Sequence, residues 1–211
     1  MEKVYEFGDK SASKVLVQPV DGHDLEVIEN EIAMIKEKTG EDFRVVAFGV
    51  NSWNNDLSPW KAPAVFGNED FGEGAGDTLA EILDYCKDKS KSYYIGGYSL
   101  AGLFALWAVY QTDLFLGVAA VSPSMWFPGF DNYMKEHEIK CKNVYLSLGN
   151  KEEKARNPVM ATVGDKIRAA QAFLNEKKIN CTLEWNEGNH FRDPDLRCAK
   201  GFSWVLGQEG K

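Results

Sequence analysis

The sequence predicts an α/β protein with a mostly parallel central sheet. Three observations carry that reading. Short apolar runs, each the length of a buried strand, alternate along the chain with helical periodicities. The first strand, helix, strand unit, spanning residues 15–50, has the length of a right-handed crossover between parallel strands. The stretch Gly97-Tyr98-Ser99-Leu100-Ala101-Gly102 then joins an apolar run to an almost wholly apolar helix over residues 103–110.

Taken in order, residues 4–7 form a short strand closed by Gly8-Asp9, and residues 15–20 are a continuous apolar run suited to a sheet buried on both faces. After the turn Asp21-Gly22-His23-Asp24, the spacing of Leu25, Ile28, Ile32 and Ile35 marks an amphipathic helix ending at Thr39-Gly40. Residues 43–50 are the next buried strand. A long, mostly irregular segment follows, residues 51–76, with Trp53, Pro59, Trp60, Pro63, Phe66 and Phe71. Loops of that length tend to be functional or disordered, and the aromatic content favours order. The segment is expected to act as a partial lid.

Thr78 and Glu81 have capping-box spacing ahead of Leu79, Ile82, Leu83 and Cys86. The glycines at 72, 74 and 76 end a loop rather than follow a strand, and no Gly-Lys-Ser/Thr sequence is present, which argues against a nucleotide site. Beyond the serine turn come a strand at 117–121, the segment Ser122-Pro123-Ser124-Met125-Trp126, and a short solvated helix around 132–140. A strand at 144–148 runs into Gly149-Asn150-Lys151-Glu152-Glu153. Met160, Val163, Ile167, Ala170 and Leu174 then mark a helix. The last strand, 181–185, leads to Gly188-Asn189-His190-Phe191, and a helix carrying Leu196, Ala199, Phe202 and Val205 completes the pattern. No repeat or linker interrupts it, so residues 1–211 read as one domain.

Composition narrows the function. Of 211 residues, 44% are hydrophobic and 27% charged, an ordinary globular balance. The net charge of −8 argues against a nucleic-acid or anionic-membrane partner. No apolar run approaches the ~20 residues that span a bilayer. The first residues, Met1-Glu2-Lys3-Val4, lack the apolar region of a signal peptide. Cys86, Cys141, Cys181 and Cys198 are scattered, which suits free thiols in a reducing, cytoplasmic setting. No two histidines stand at ligand spacing, so neither metal nor cofactor is expected.

In parallel α/β sheets the reacting groups lie beyond the carboxyl ends of the strands. A strand, sharp turn, buried helix order around Ser99 is the context of a nucleophile elbow, which needs small residues two positions to either side; Gly97 and Ala101 stand there. The partners should follow in the order acid, then histidine. His23 and His137 both precede the acid-bearing loop, and His137 sits in a charged, solvated run. His190 follows the last strand and is the expected base. The acid should follow the strand at 144–148, where Glu152 is favoured and Glu153 is the alternative. The oxyanion hole is expected from the N–H of Leu100 and a second amide at Val20 or Asp21. Trp53, Trp60 and Trp126 lie in loops after strand ends and, with Tyr98 beside the serine, are the expected substrate-binding residues. Equally, the tryptophans could simply pack the long loop onto the domain.

With these residues placed, the chain resembles the α/β-hydrolase superfamily, in particular the esterase branch that includes enterochelin-esterase-like acyl-ester hydrolases. The similarity lies in Gly97-Tyr98-Ser99-Leu100-Ala101-Gly102 and the following helix, in Ser122-Pro123-Ser124-Met125-Trp126, and in Gly188-Asn189-His190-Phe191, and it covers roughly residues 12–206. It implies an α/β-hydrolase sheet of about seven to eight strands, shortened at its N-terminal edge, with helices on both faces; the chain itself leaves no stretch for a separate cap domain. It also implies a Ser-acid-His triad and a small-molecule ester substrate. Two departures stand out: alanine replaces glycine at 101, and glutamate stands where aspartate is commoner. A thioesterase or small peptidase would share this triad, and a binding protein could retain the fold without catalysis, though the complete Ser, Glu, His set argues against decay.

Overall fold

Seven strands lie side by side in one sheet. In chain order they are β1 (Lys3–Gly8), β2 (Lys14–Val20), β3 (Phe43–Gly49), β4 (Ser92–Tyr98), β5 (Phe115–Val121), β6 (Asn143–Gly149) and β7 (Asn180–Asn186). Their spatial order is β1-β3-β2-β4-β5-β6-β7. β1 runs antiparallel to β3, and every other pairing is parallel. These positions come from a computed structural model that describes residues 3–208. Met1 and Glu2, within the stretch read for a signal peptide, and residues 209–211 lie outside the described residues.

The alternation of side chains along each strand divides the core into two layers. Val15 and Val17 of β2 face one layer and Leu16 the other. The second layer is covered by α1 (Gly22–Thr39) and by the helix Pro194–Leu206, which pack on each other across β2, β4 and β5. The first layer is larger and holds α2 (Trp53–Asp56), α3 (Ala75–Tyr85), α4 (Leu100–Gln111), α5 (Phe130–Glu136) and α6 (Val163–Glu176), which makes the C-terminal helix α7. α4 is buried along nearly its whole length, as its apolar composition requires.

Some local expectations change. α3 begins at Ala75 with Gly74 as its cap, so Thr78 and Glu81 form no capping box; the Thr78 hydroxyl instead donates to the Asp56 carbonyl at 2.8 Å. The segment after β3 is less irregular than its sequence suggests. It contains α2 and a bridge between Ala62 and Phe71. Asp56 accepts from the N–H groups of Asn51 and Ser52, pinning the chain where it leaves the sheet. The helix expected around 132–140 is shorter and earlier, at Phe130–Glu136, and His137 lies just past it, stacked on Tyr133.

Candidate active site

The turn from β4 into α4 holds Ser99 at φ 59° and ψ −120°, a conformation that L-residues rarely adopt. Hydrogen bonds fix it on both sides: Ser99 N–H donates to the Val121 carbonyl, and its carbonyl accepts from Ser124 and Leu103. The turn is tight enough to demand glycine before it, since a Cβ on Gly97 would lie 2.7 Å from the Ala101 Cβ. Alanine at 101 is therefore accommodated because Gly97 leaves room for it.

The Ser99 hydroxyl lies 2.9 Å from His190 Nε2, and His190 Nδ1 lies 2.7 Å from Glu152 Oε2. His190 comes from the loop after β7, and Glu152 opens a 3-10 turn (Glu152–Lys154) after β6. Three residues from three strand ends thus form one continuous chain of hydrogen bonds. Glu153 is turned away. Its carboxylate bonds Arg168 at 2.6 Å and lies against Gly164.

The second oxygen of Glu152 is as fully engaged as the first. Oε1 accepts from the Gly149 N–H at 2.7 Å, the Ser122 hydroxyl at 2.8 Å and Arg197 Nη1 at 3.0 Å. Burial works to raise the Glu152 carboxyl. The His190 hydrogen bond and charge, with Gly149 and Ser122, nevertheless hold it below the usual glutamate range. Gly149 is required here, because a Cβ on it would stand 2.9 Å from Glu152 Oε1 and 2.5 Å from the Gly188 carbonyl.

Arg197 is the residue that the sequence pattern did not disclose. It is only 1% exposed. Nη1 reaches Tyr98 Oη, Ser122 Oγ and Glu152 Oε1, while Nη2 donates to the carbonyls of Glu187 and Asn189 in the histidine loop. Leu196, expected on the buried face of α7, is only half-buried, and Arg197 lies inside with Cys198 and Phe202. The signal available in the sequence was the stripe Cys198, Phe202, Val205, which brings Arg197 to its edge.

Of the expected substrate-binding residues, Trp53 lines a cavity of about 250 Å³ with Ser99, His190 and Asp21. Tyr98 lines the same cavity but is mostly buried, its hydroxyl donating to the His190 carbonyl at 2.7 Å. Trp126 lines a second cavity, on the Glu152 side of His190. Trp60 belongs to neither. Its indole donates to the Pro128 carbonyl and its ring packs on Phe127, Phe130 and Tyr133, so it fastens the long segment to the domain.

At the expected oxyanion hole, Leu100 opens α4, where first-turn N–H groups have no partner within the helix. Across from it, Asp21 caps α1: its carboxylate accepts from His23 and Asp24, and its own N–H donates to Asp24 Oδ2 at 3.0 Å. Burial lifts the Asp24 carboxyl to about 6, and the charge on Asp21 adds to the rise, against the Asp21 N–H bond. Among the described residues no cluster of His, Cys, Asp or Glu is placed to hold a metal ion. No helix among them is long and apolar enough to cross a membrane.

Sheet order, a strained serine after the fourth strand, and a carboxylate and histidine after the last two define the class: the chain has the α/β-hydrolase fold. Solved structures of that class overlay closely. An IroE-like serine hydrolase from Shewanella oneidensis has a TM-score of 0.77 at 16% identity, over 95% of this chain and 74% of that one. The siderophore hydrolase EstA from Aspergillus nidulans gives 0.71 at 17% identity, over 96% and 86%. The enterobactin esterase FES from Shigella flexneri gives 0.66 at 14% identity, over 97% of this chain and 55% of that one. No family model and no curated protein matches the sequence.

Proposed function

We propose that the chain is a serine hydrolase that cleaves carboxylic esters through an acyl-enzyme. One observation carries the reading: the unbroken hydrogen-bond chain from Ser99 Oγ through His190 to a buried, ionised Glu152. In the first half-reaction Ser99 Oγ bonds to the ester carbonyl carbon as its proton passes to His190 Nε2. Glu152 holds the Nδ1–H tautomer and stabilises the imidazolium. The tetrahedral oxyanion is held by the Leu100 N–H and a second amide at the Val20–Asp21 end of β2; use of the Asp21 N–H requires exchange of its bond to Asp24. Collapse breaks the bond to the alkoxy oxygen, which takes the proton from His190. Water then repeats the sequence and releases the acid.

Proteins of the same fold that are esterases, such as the enterobactin esterase FES and the Pyrococcus furiosus esterase Pf2001, support the ester reading. Residues 51–76 flank the site as a partial lid: Trp60 and Asp56 fasten the segment to the domain, and Trp53 lines the serine's cavity. The four free cysteines, three of them buried, support a reducing, cytoplasmic setting. The test is labelling with a fluorophosphonate, beside Ser99→Ala and a panel of p-nitrophenyl esters and a matched thioester. Wild type should label and Ser99→Ala should not; equal labelling of the two, or none of either, would overturn the reading.

A further inference from the structure

We propose that the cavity on the Glu152 side of His190 takes an apolar ester moiety ending in an anionic group, held by Lys151 and Lys154. This rests on the ester-hydrolase reading and deepens it by assigning a substrate class.

Charge is divided unevenly between the two cavities beside the triad. The two cavities at the triad are each about 250 Å³ and share only His190 and Phe191. The one containing Ser99 is lined by Asp21 and Asp24 and by no lysine or arginine. The other carries Lys151 and Lys154. Its single carboxylate, Glu152, is buried and has both oxygens committed to His190, Ser122, Gly149 and Arg197. Among the described residues neither lysine has an ion-pair partner, and Glu153, between them in sequence, is drawn off to Arg168. In a chain of net charge −8, this leaves a local cationic field at one mouth of the site.

The walls fit an apolar body. Trp126, Met160 and Val163 line the cavity together with the lysines. Phe191, 86% exposed, stands at the lip shared with the serine's cavity. An anion placed instead in the serine's cavity would face Asp21 and Asp24, with His23 and His190 there but no lysine or arginine. Charge therefore admits one orientation of the ester across His190.

Binding is measured on Ser99→Ala, which needs no turnover. Two pairs are compared by calorimetry: monophenyl succinate against its methyl ester, with the charge on the acyl side, and 4-carboxyphenyl butyrate against its methyl ester, with the charge on the alcohol side. In at least one pair the anion should bind about tenfold tighter at low salt. That preference should shrink with added sodium chloride and vanish when Lys151→Gln and Lys154→Gln are combined. Both side chains are exposed, and Lys154→Gln alone, which leaves Glu152's sequence neighbours unchanged, should lose part of the preference. Equal binding in both pairs, or a preference that survives in the double variant, would overturn the proposal. Wild type that labels with fluorophosphonate while Ser99→Ala shows no charge preference sinks this inference alone. A charge preference without labelling sinks the hydrolase reading alone.

Discussion

Glu152 and Glu153 are neighbours in sequence, and a single 3-10 turn sends them to opposite surroundings: one buried against His190 and Arg197, the other out to Arg168. Glu152→Gln should therefore lower kcat by roughly 10³–10⁴-fold, the scale seen when a triad acid loses its charge, while Glu153→Gln stays within about twofold. Steady-state kinetics on a p-nitrophenyl ester decide it, and the reverse ranking would transfer the role. Arg197 acts through Glu152 and the histidine loop. Arg197→Met leaves a buried carboxylate and two carbonyls short of a donor, a loss of about 3–5 kcal/mol in urea unfolding. Arg197→Lys keeps the charge but not the two-sided fork, and should lower kcat with KM nearly unchanged; a change confined to KM would contradict a positioning role. The serine, the histidine and both glutamates could be read from the sequence because each follows a recognisable strand end. Arg197 could not, because an arginine in an amphipathic helix looks solvated until its partners, distant in sequence, are folded beneath it.

At the scale of the element, the elbow is a contact between the end of β4 and the start of α4. Gly97→Ala would bring two Cβ atoms to 2.7 Å, so either the strand or the helix must give way. A destabilisation of about 1–3 kcal/mol is expected from such overpacking, read by chemical denaturation. Adding Ala101→Gly should recover part of it; no recovery would place the clash elsewhere. The strands and main helices were legible because buried sheets and amphipathic helices leave periods in the sequence. The segment between β3 and α3 was not, because its order comes from single long-range bonds, such as Asn54 to the Glu69 carbonyl and Trp60 to the Pro128 carbonyl. The misplaced start of α3 has the same cause: Thr78 is claimed by Asp56 across the turn.

For the whole molecule, the layer under α1 and α7 contains an ionisable group with no counter-charge among the described residues. Glu31 is 3% exposed, and burial, reinforced by the charges of Asp24 and Asp195 and opposed by the bond from Gln18, raises its carboxyl to about 8. Cys198 of α7 also faces it, and Gln18 Oε1 nearby is buried without a donor, which a protonated Glu31 can supply. The fold binds a proton that the unfolded chain releases near 4.5, so this contribution is complete below that pH and is lost as pH rises through about 8. Glu31→Gln should thus gain on wild type between pH 5 and 9, each 1 kcal/mol appearing as roughly 2–4 °C in Tm. Parallel Tm curves for the two proteins would show that Glu31 is charged in the fold.

Arg197 also gives the site an order in time. The strand that presents Ser99 and the helix behind it are translated well before α7, whose arginine joins Glu152 to the histidine loop and whose Phe202 packs against Gly96 beneath the serine strand. A nascent chain thus displays its serine long before it can use it. On the proposed mechanism the nucleophile is armed only when the last helix docks, so half-made or partly opened chains carry an inert hydroxyl rather than an indiscriminate acyl acceptor.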